Sequence, residues 1–192
     1  MAETPALFRA EYYCKEVLFT EAQVKEKLAQ LAARIAEACE GREMVIIGIL
    51  KGSFMFLADL VKLLYMHDVH PTVDFMACSS YGSSTTSSGT VRIDRDVTMP
   101  LEGKWVLLVD DILDSGRTIS FAREHLQEKG AETVRTCVFL DKPGRRVVPI
   151  SPDYCGFEVP DRFIVGYGLD WNNRFRDLPY VALLDESKLP DQ

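Results

Sequence analysis

The chain lacks the signatures of several common protein classes. Its five cysteines, Cys14, Cys39, Cys78, Cys137 and Cys155, are odd in number and show no C-x-x-C spacing. That argues against a disulfide framework and a zinc site, and it is the usage expected of a reducing cytoplasm. No apolar run approaches the roughly 20 residues that span a bilayer, so no membrane partner is expected. Positive charge is short: 22 Lys and Arg stand against 29 Asp and Glu, a net charge of −7. Such a surface repels phosphate backbones, so nucleic acid is not an expected partner, although a local basic pocket is compatible with it. The opening Met1-Ala2-Glu3-Thr4-Pro5 does not read as a secretory signal, nor Leu189-Pro190-Asp191-Gln192 as a peroxisomal address. No internal repeat is visible.

With 192 residues and 47% hydrophobic content, the chain suits a single domain, residues 1–192, with a sizeable core. Its organising stretch is Val106-Leu107-Leu108-Val109-Asp110-Asp111-Ile112-Leu113-Asp114-Ser115-Gly116-Arg117-Thr118. Four apolar β-formers without polar alternation predict a strand buried on both faces, as at the centre of a parallel sheet. Three carboxylates within five positions and the small pair Ser115-Gly116 then read as a loop. Thr118, Ile119, Ala122 and Leu126 predict a helix that Gly130 closes. Amides at that helix start, with the hydroxyls of Ser115 and Thr118, suit a phosphate. Asp110 and Asp111 at the strand's carboxyl end suit Mg²⁺ held through water, or the two hydroxyls of a ribose. Asp114, nearer the turn, is left for proton transfer. An ordinary βα loop with solvated acids would account for one Asp here but not for the whole string.

Earlier in the chain, Thr20 and Gln23 predict a capping box before an amphipathic helix carrying Val24, Leu28, Leu31, Ile35 and Ala38, closed near Gly41. Met44–Leu50 predicts a second buried strand, and Phe54, Leu57, Val61 and Leu64 a helix after it. Between them Lys51-Gly52 lets backbone amides approach a pyrophosphate closely, although spacing alone allows a solvated Lys at a tight turn. Residues 72–79 alternate, with Val73, Phe75 and Ala77 expected on the covered face. Residues 80–89 then hold seven Ser or Thr, two Gly and one Tyr. In the middle of a compact domain this reads as a mobile lid that excludes water rather than as a linker. A return strand begins near Thr90. Val134–Leu140 is another buried strand, and Lys142 after it points at the crevice that Lys51 and Asp114 share. Phe163 and Trp171 are aromatic enough to sandwich a flat base, though core packing is the commoner role of such a ring. Alternating strands and helices predict an α/β fold with a parallel-sheet core.

These residues carry a resemblance. The string from Val106 to Thr118 resembles the phosphoribosyl-pyrophosphate signature of type I phosphoribosyltransferases. Leu50-Lys51-Gly52, Ser80-Tyr81, Phe163–Asp170 and Phe175-Arg176-Asp177-Leu178 resemble motifs of the hypoxanthine–guanine phosphoribosyltransferases, in the family's order and over about residues 15 to 185. The resemblance implies a twisted parallel sheet flanked by helices. It adds a small hood, built from N- and C-terminal segments, and an antiparallel lid closed through Ser80 and Tyr81. It also implies a non-proline cis peptide at Leu50–Lys51 and a homodimer or homotetramer.

The implied activity is purine salvage: Mg²⁺-dependent transfer of the phosphoribosyl group from phosphoribosyl pyrophosphate to oxo-purines. By the same resemblance Asp110 and Asp111 hold the ribose hydroxyls and Mg²⁺. Asp114 faces the reacting purine nitrogen. Ser115, Gly116, Arg117 and Thr118 cradle the 5-phosphate, and Lys51, Gly52 and Arg176 serve the pyrophosphate. Lys142 donates to the six-oxo group, Phe163 stacks on the base, the Ile164 carbonyl meets its edge, and Asp170 holds a second Mg²⁺. Two departures stand beside the base pocket: Trp171 where Tyr is common and Gly168 where Ala is common. A nucleotide-sensing binding module on the same fold would need a DNA-binding segment or a basic face, which the net charge opposes. A transferase for adenine is opposed by the donor-only Lys142.

Overall fold

The computed structural model describes residues 10–80 and 91–189, so the expected lid, beyond the backbone of Ser80, lies outside the described residues, Tyr81 included. A short helix α1 (Ala10–Tyr13) leads into β1 (Cys14–Phe19). Thr20 then caps α2 (Glu21–Cys39): its Oγ1 accepts from Gln23 N at 3.3 Å while Gln23 Oε1 accepts from Thr20 N at 2.9 Å. This is the reciprocal arrangement expected from the sequence. The apolar run Met44–Leu50 forms β2 and Phe54–Tyr65 forms α3. The peptide joining Leu50 to Lys51 is cis. There follow β3 (Thr72–Ser80), β4 (Val91–Arg95), β5 (Trp105–Leu113), α4 (Arg117–Glu128) and β6 (Thr133–Asp141). The remaining strands are β7 (Tyr154–Glu158), β8 (Ile164–Val165) and β9 (Val181–Leu184).

Six strands make one sheet in the order β4-β3-β2-β5-β6-β7, parallel except for the edge strand β4. Three make a small antiparallel sheet, β1-β9-β8, the expected hood. Period-2 alternation divides the central strands between two cores. Ile46, Leu107, Val109 and Phe139 pack under α2 and α3, while Val45, Ile47, Val106 and Leu108 pack under α4. Parallel strands covered on both faces are why these runs show no polar alternation. A third cluster, with Val165, Phe175 and Leu184, fills the hood. Among the described residues no helix is long and apolar enough to cross a membrane.

The covered face of β3 differs from expectation. Val73 is 37% exposed, whereas Met76 is fully buried and Asp74 nearly so. A carboxylate can occupy that inner face because Asp74 accepts from Phe75 N (2.7 Å), Thr98 N (2.7 Å), Thr98 Oγ1 (3.1 Å) and Met99 N (3.3 Å). Burial pushes its pKa up, but these hydrogen bonds outweigh burial and hold the carboxyl below its usual value. A depressed folded pKa contributes stability above the unfolded value of about 4 and loses it as pH falls through the folded value. Asp74→Ala is therefore expected to destabilise the fold at neutral pH by about 1–3 kcal/mol for each amide left unpaired. In thermal melts the gap to wild type should close below about pH 4. Equal melting at pH 7 would remove this role for Asp74.

Candidate active site

The chain runs from β2 outward to β3, then returns to place β5 on the other side of β2. Loops leaving β2 and β5 therefore diverge and open a crevice at the carboxyl ends of these strands, where ligands of open α/β sheets bind. Lys51-Gly52 arrives there from β2, Asp110 and Asp111 from β5, and Asp141-Lys142 from β6, whose Asp141 is in register with Leu113.

β5 continues to Leu113, so Asp110 and Asp111 are strand residues and not part of the loop expected after Val109. Sheet hydrogen bonds to β6 keep the strand going despite the charges. Alternation then sends Asp110 to the α4 side and Asp111 to the α3 side. Asp111 leans on Gly52 so closely that a Cβ at Gly52 would stand 1.6 Å from its Oδ2. Burial, then the charge of Asp111, pushes Asp110 well above the usual carboxylate range. Burial also raises Asp111, tempered by hydrogen bonds from Asp110 and Ile112 N and by the Arg176 charge. Among the described residues no three or more His, Cys, Asp or Glu side chains converge as a metal cage. Two adjacent embedded carboxylates nevertheless fit Mg²⁺ that takes its other ligands from substrate oxygens and water, because a dication offsets the burial that raises both and the Asp111 charge that further raises Asp110.

Gly116 caps α4 with φ 86°, a left-handed conformation suited to glycine. A Cβ there would also stand 2.8 Å from Ile150 Cγ2 and 3.0 Å from the Val148 carbonyl. The turn is braced from outside. Ser115 O accepts from Val147 N and Val148 N. The Arg146 guanidinium donates to the carbonyls of Leu113 (3.0 Å) and Asp114 (2.5 Å) and pairs with Asp141. Sequence reasoning missed Arg146; the Arg145-Arg146 pair just beyond a strand's carboxyl end was the available signal. Asp110, Asp111, Asp114, Ser115, Gly116 and Thr118 line a cleft of about 200 Å³ at the start of α4. Arg117 is not among its lining residues.

A second cleft, of about 240 Å³, is lined by Asp111, Ile112, Asp114, Lys142, Arg145, Phe163, Ile164, Leu169 and Asp170. Lys142 is only 7% exposed, whereas the Phe163 ring is 41% exposed. Trp171 does not join Phe163 around this cleft. It is 7% exposed, inside the hood cluster with Val165, Phe175 and Leu184, because the chain turns away after Asp170. Asp111, Ile112 and Asp114 line both clefts. Among the described residues, Asp114 Oδ1 and Arg117 Nη1 are the buried side-chain polar atoms without a hydrogen-bond partner. Arg145 Nε is 3.6 Å from Asp114 Oδ1, too far for a hydrogen bond, and 3.7 Å from Asp161.

The hood closes the far side. Arg176 donates from Nη1 to the Gly168 carbonyl and pairs through Nη2 with Asp170, both at 2.6 Å. Asn173 N donates to Asp170 Oδ2 at 2.6 Å, and Lys51 Nζ stands 3.5 Å from Asn173 Oδ1. Gly168 has φ 100°, and a Cβ on it would stand 2.0 Å from the Gly52 carbonyl oxygen. The glycine noted as a departure is thus the residue on which the hood turn meets the Lys51-Gly52 turn.

This fold and crevice define a phosphoribosyltransferase, and the phosphoribosyl transferase domain family matches residues 17–172. The chain is 46% identical to the hypoxanthine-guanine phosphoribosyltransferase of Aquifex aeolicus over 172 residues, 89% of this chain and 95% of the relative. It is 44% identical to the hypoxanthine phosphoribosyltransferase of Escherichia coli K12 over 176 residues, 89% and 97%. A crystal structure of a Staphylococcus aureus hypoxanthine phosphoribosyltransferase superimposes with a TM-score of 0.89 at 38% identity, covering 95% of this chain and 97% of that one. The chain belongs to the hypoxanthine(-guanine) phosphoribosyltransferase family.

Proposed function

We propose that this chain is a cytoplasmic purine-salvage enzyme. It transfers the 5-phosphoribosyl group from phosphoribosyl pyrophosphate to hypoxanthine and guanine, forming IMP and GMP and releasing pyrophosphate. It works as one domain in a homodimer or homotetramer and depends on Mg²⁺. The observation that carries the site assignment is the meeting of the two clefts at Asp114, whose buried Oδ1 has no hydrogen-bond partner. A base in one cleft and a sugar phosphate in the other would bring their reacting atoms together beside that oxygen.

Displacement at an anomeric carbon passes through an oxocarbenium-like transition state. Amides and hydroxyls of Ser115, Gly116, Arg117 and Thr118 hold the 5-phosphate at the start of α4. Asp110 and Asp111 grip the ribose hydroxyls. Lys51, the Gly52 amide and Arg176 take charge from the departing pyrophosphate. Asp114 accepts the proton of the purine nitrogen as it bonds to the sugar. Phe163 stacks on the base and the Ile164 carbonyl meets its edge. Asp110 and Asp111 would hold Mg²⁺, and Asp170 a second ion, whose chemistry when bound would be to neutralise charge on the pyrophosphate.

Lys142 sets base choice. Its ammonium is donor-only, so it suits a six-oxo acceptor and confronts adenine's amino group with another donor. Each mismatched group in a closed site costs about 1–3 kcal/mol, and such hydrogen-bond readers discriminate strongly. The test is kcat/KM for hypoxanthine, guanine, xanthine and adenine with phosphoribosyl pyrophosphate and Mg²⁺, on wild type and Lys142→Ala. Hypoxanthine and guanine should react, xanthine less well, and adenine at least about 10²-fold more slowly. Adenine turnover equal to hypoxanthine would overturn the assignment, and undiminished hypoxanthine activity in Lys142→Ala would overturn only the role of Lys142.

A further inference from the structure

A hydrogen bond between two residues that line neither cleft ties their supports together. Tyr167 Oη donates to Asp59 Oδ2 at 2.7 Å across 108 positions of sequence. Asp59 lies on α3, the helix that begins right after Lys51-Gly52-Ser53. Tyr167 is the middle residue of the hood turn, and Gly166, Tyr167 and Gly168 all have positive φ, at 99°, 50° and 100°. A tyrosine is rarely left-handed, so something outside the local backbone must hold it there. The turn is closed by Gly166 N to Leu169 O and Leu169 N to Gly166 O. From outside it Leu178 O and Arg176 O accept from Tyr167 N and Gly168 N, leaving the Tyr167 side chain to fix where the turn sits against α3. One of its neighbours is the Gly52 carbonyl, against Gly168 Cα, and Arg176 donates to the Gly168 carbonyl while pairing with Asp170.

We propose that the Tyr167–Asp59 hydrogen bond is a positioning device that seats the hood turn on the Gly52 carbonyl and so keeps the pyrophosphate subsite in register with the base subsite. The inference rests on the subsite roles proposed above. Asp59 is suited to the task. Burial would raise its pKa, but Lys62, whose Nζ is 2.5 Å away, and the Tyr167 hydroxyl outweigh burial and keep it an ionised acceptor. Burial and the facing carboxylate push the Tyr167 phenol up, so it remains a donor. The ring itself packs on Phe139 with centroids 4.8 Å apart and is 4% exposed, so that ordinary core contacts survive loss of the hydroxyl. A buried tyrosine satisfied by an aspartate is most often simple packing, and the experiment separates that case by asking whether subsite affinity moves with the hydroxyl.

The probes are Tyr167→Phe, Asp59→Ala and Asp59→Asn. Each is measured for KM of phosphoribosyl pyrophosphate and kcat with hypoxanthine, and for direct calorimetric binding of pyrophosphate with Mg²⁺. Tyr167→Phe and Asp59→Ala should each raise that KM and weaken pyrophosphate binding about tenfold with a smaller change in kcat. Asp59→Asn, which keeps an oxygen acceptor, should stay within about twofold of wild type. Tyr167→Phe and Asp59→Ala variants that melt lower yet bind pyrophosphate like wild type would overturn the proposal and leave a purely structural contact. Should Tyr167→Phe fail to fold, the half-exposed Asp59 pair carries the same decision. A wild-type chain without hypoxanthine turnover would instead overturn the functional reading, because the binding measurement needs no turnover.

Discussion

Gly52→Ala is expected to lower kcat/KM for phosphoribosyl pyrophosphate by at least about 10²-fold while hypoxanthine binding changes far less. A positioned group displaced by about 1 Å costs about that factor. The added methyl would stand 1.6 Å from Asp111 Oδ2 and 2.3 Å from its Cγ, so the carboxylate must leave its place. Its displacement is opposed by burial and by the Arg176 charge, which draws it toward the hood. The cost falls on the sugar-pyrophosphate side, where Asp111 and the Gly52 amide work together. Steady-state kinetics with each substrate varied in turn checks this. A variant with wild-type kcat/KM would show that Asp111 tolerates displacement and is no ligand of the ribose.

Asp114→Asn is the second large effect. A positioned base contributes about 10²–10⁴-fold, so kcat for hypoxanthine and guanine should fall by a factor in that range. The amide is nearly isosteric with the carboxylate. The turn is held by Val147 N and Val148 N on the Ser115 carbonyl and by Arg146 on the Leu113 and Asp114 carbonyls rather than by the Asp114 side chain, so it should persist. Melting should therefore stay close to wild type while turnover collapses. An Asn variant with wild-type kcat on both bases would remove Asp114 from the chemistry, and a large drop in melting temperature would move it to a structural role.

What was legible in the sequence was what neighbours along the chain decide. The bounds of β2, the Thr20–Gln23 cap and the helix from Phe54 follow from period and capping, which act within a few residues. The acidic string could be read as a site because three carboxylates before a small-residue turn have few other uses. What pairs across the fold was not legible. Asp74 faces inward only because amides of Thr98 and Met99, some 24 positions away, are there to receive it. Trp171 fills the hood because the chain reverses after Asp170, and no local pattern marks that reversal. Arg146, which braces the turn before α4, sits 32 positions from the Asp114 carbonyl it holds. The contact of Gly168 with Gly52 joins turns 116 residues apart, so it was visible only as an unexplained glycine.

The strand order of the hood has a consequence for how the enzyme comes off the ribosome. β1 pairs with β9 and β9 with β8, so the sheet that carries Ile164 and supports Leu169 and Asp170 lacks its central strand until residues 181–184 emerge. The first cleft is lined by residues within 110–119, in β5 and the start of α4, which leave the tunnel some 60 residues earlier, although its turn gains its brace only with residues 146–148. Synthesis proceeds at about 5–20 residues per second, so several seconds separate the two events. A nascent chain thus presents the start of α4 well before the hood can close, and β1 waits for its partner until residues 181–184 emerge.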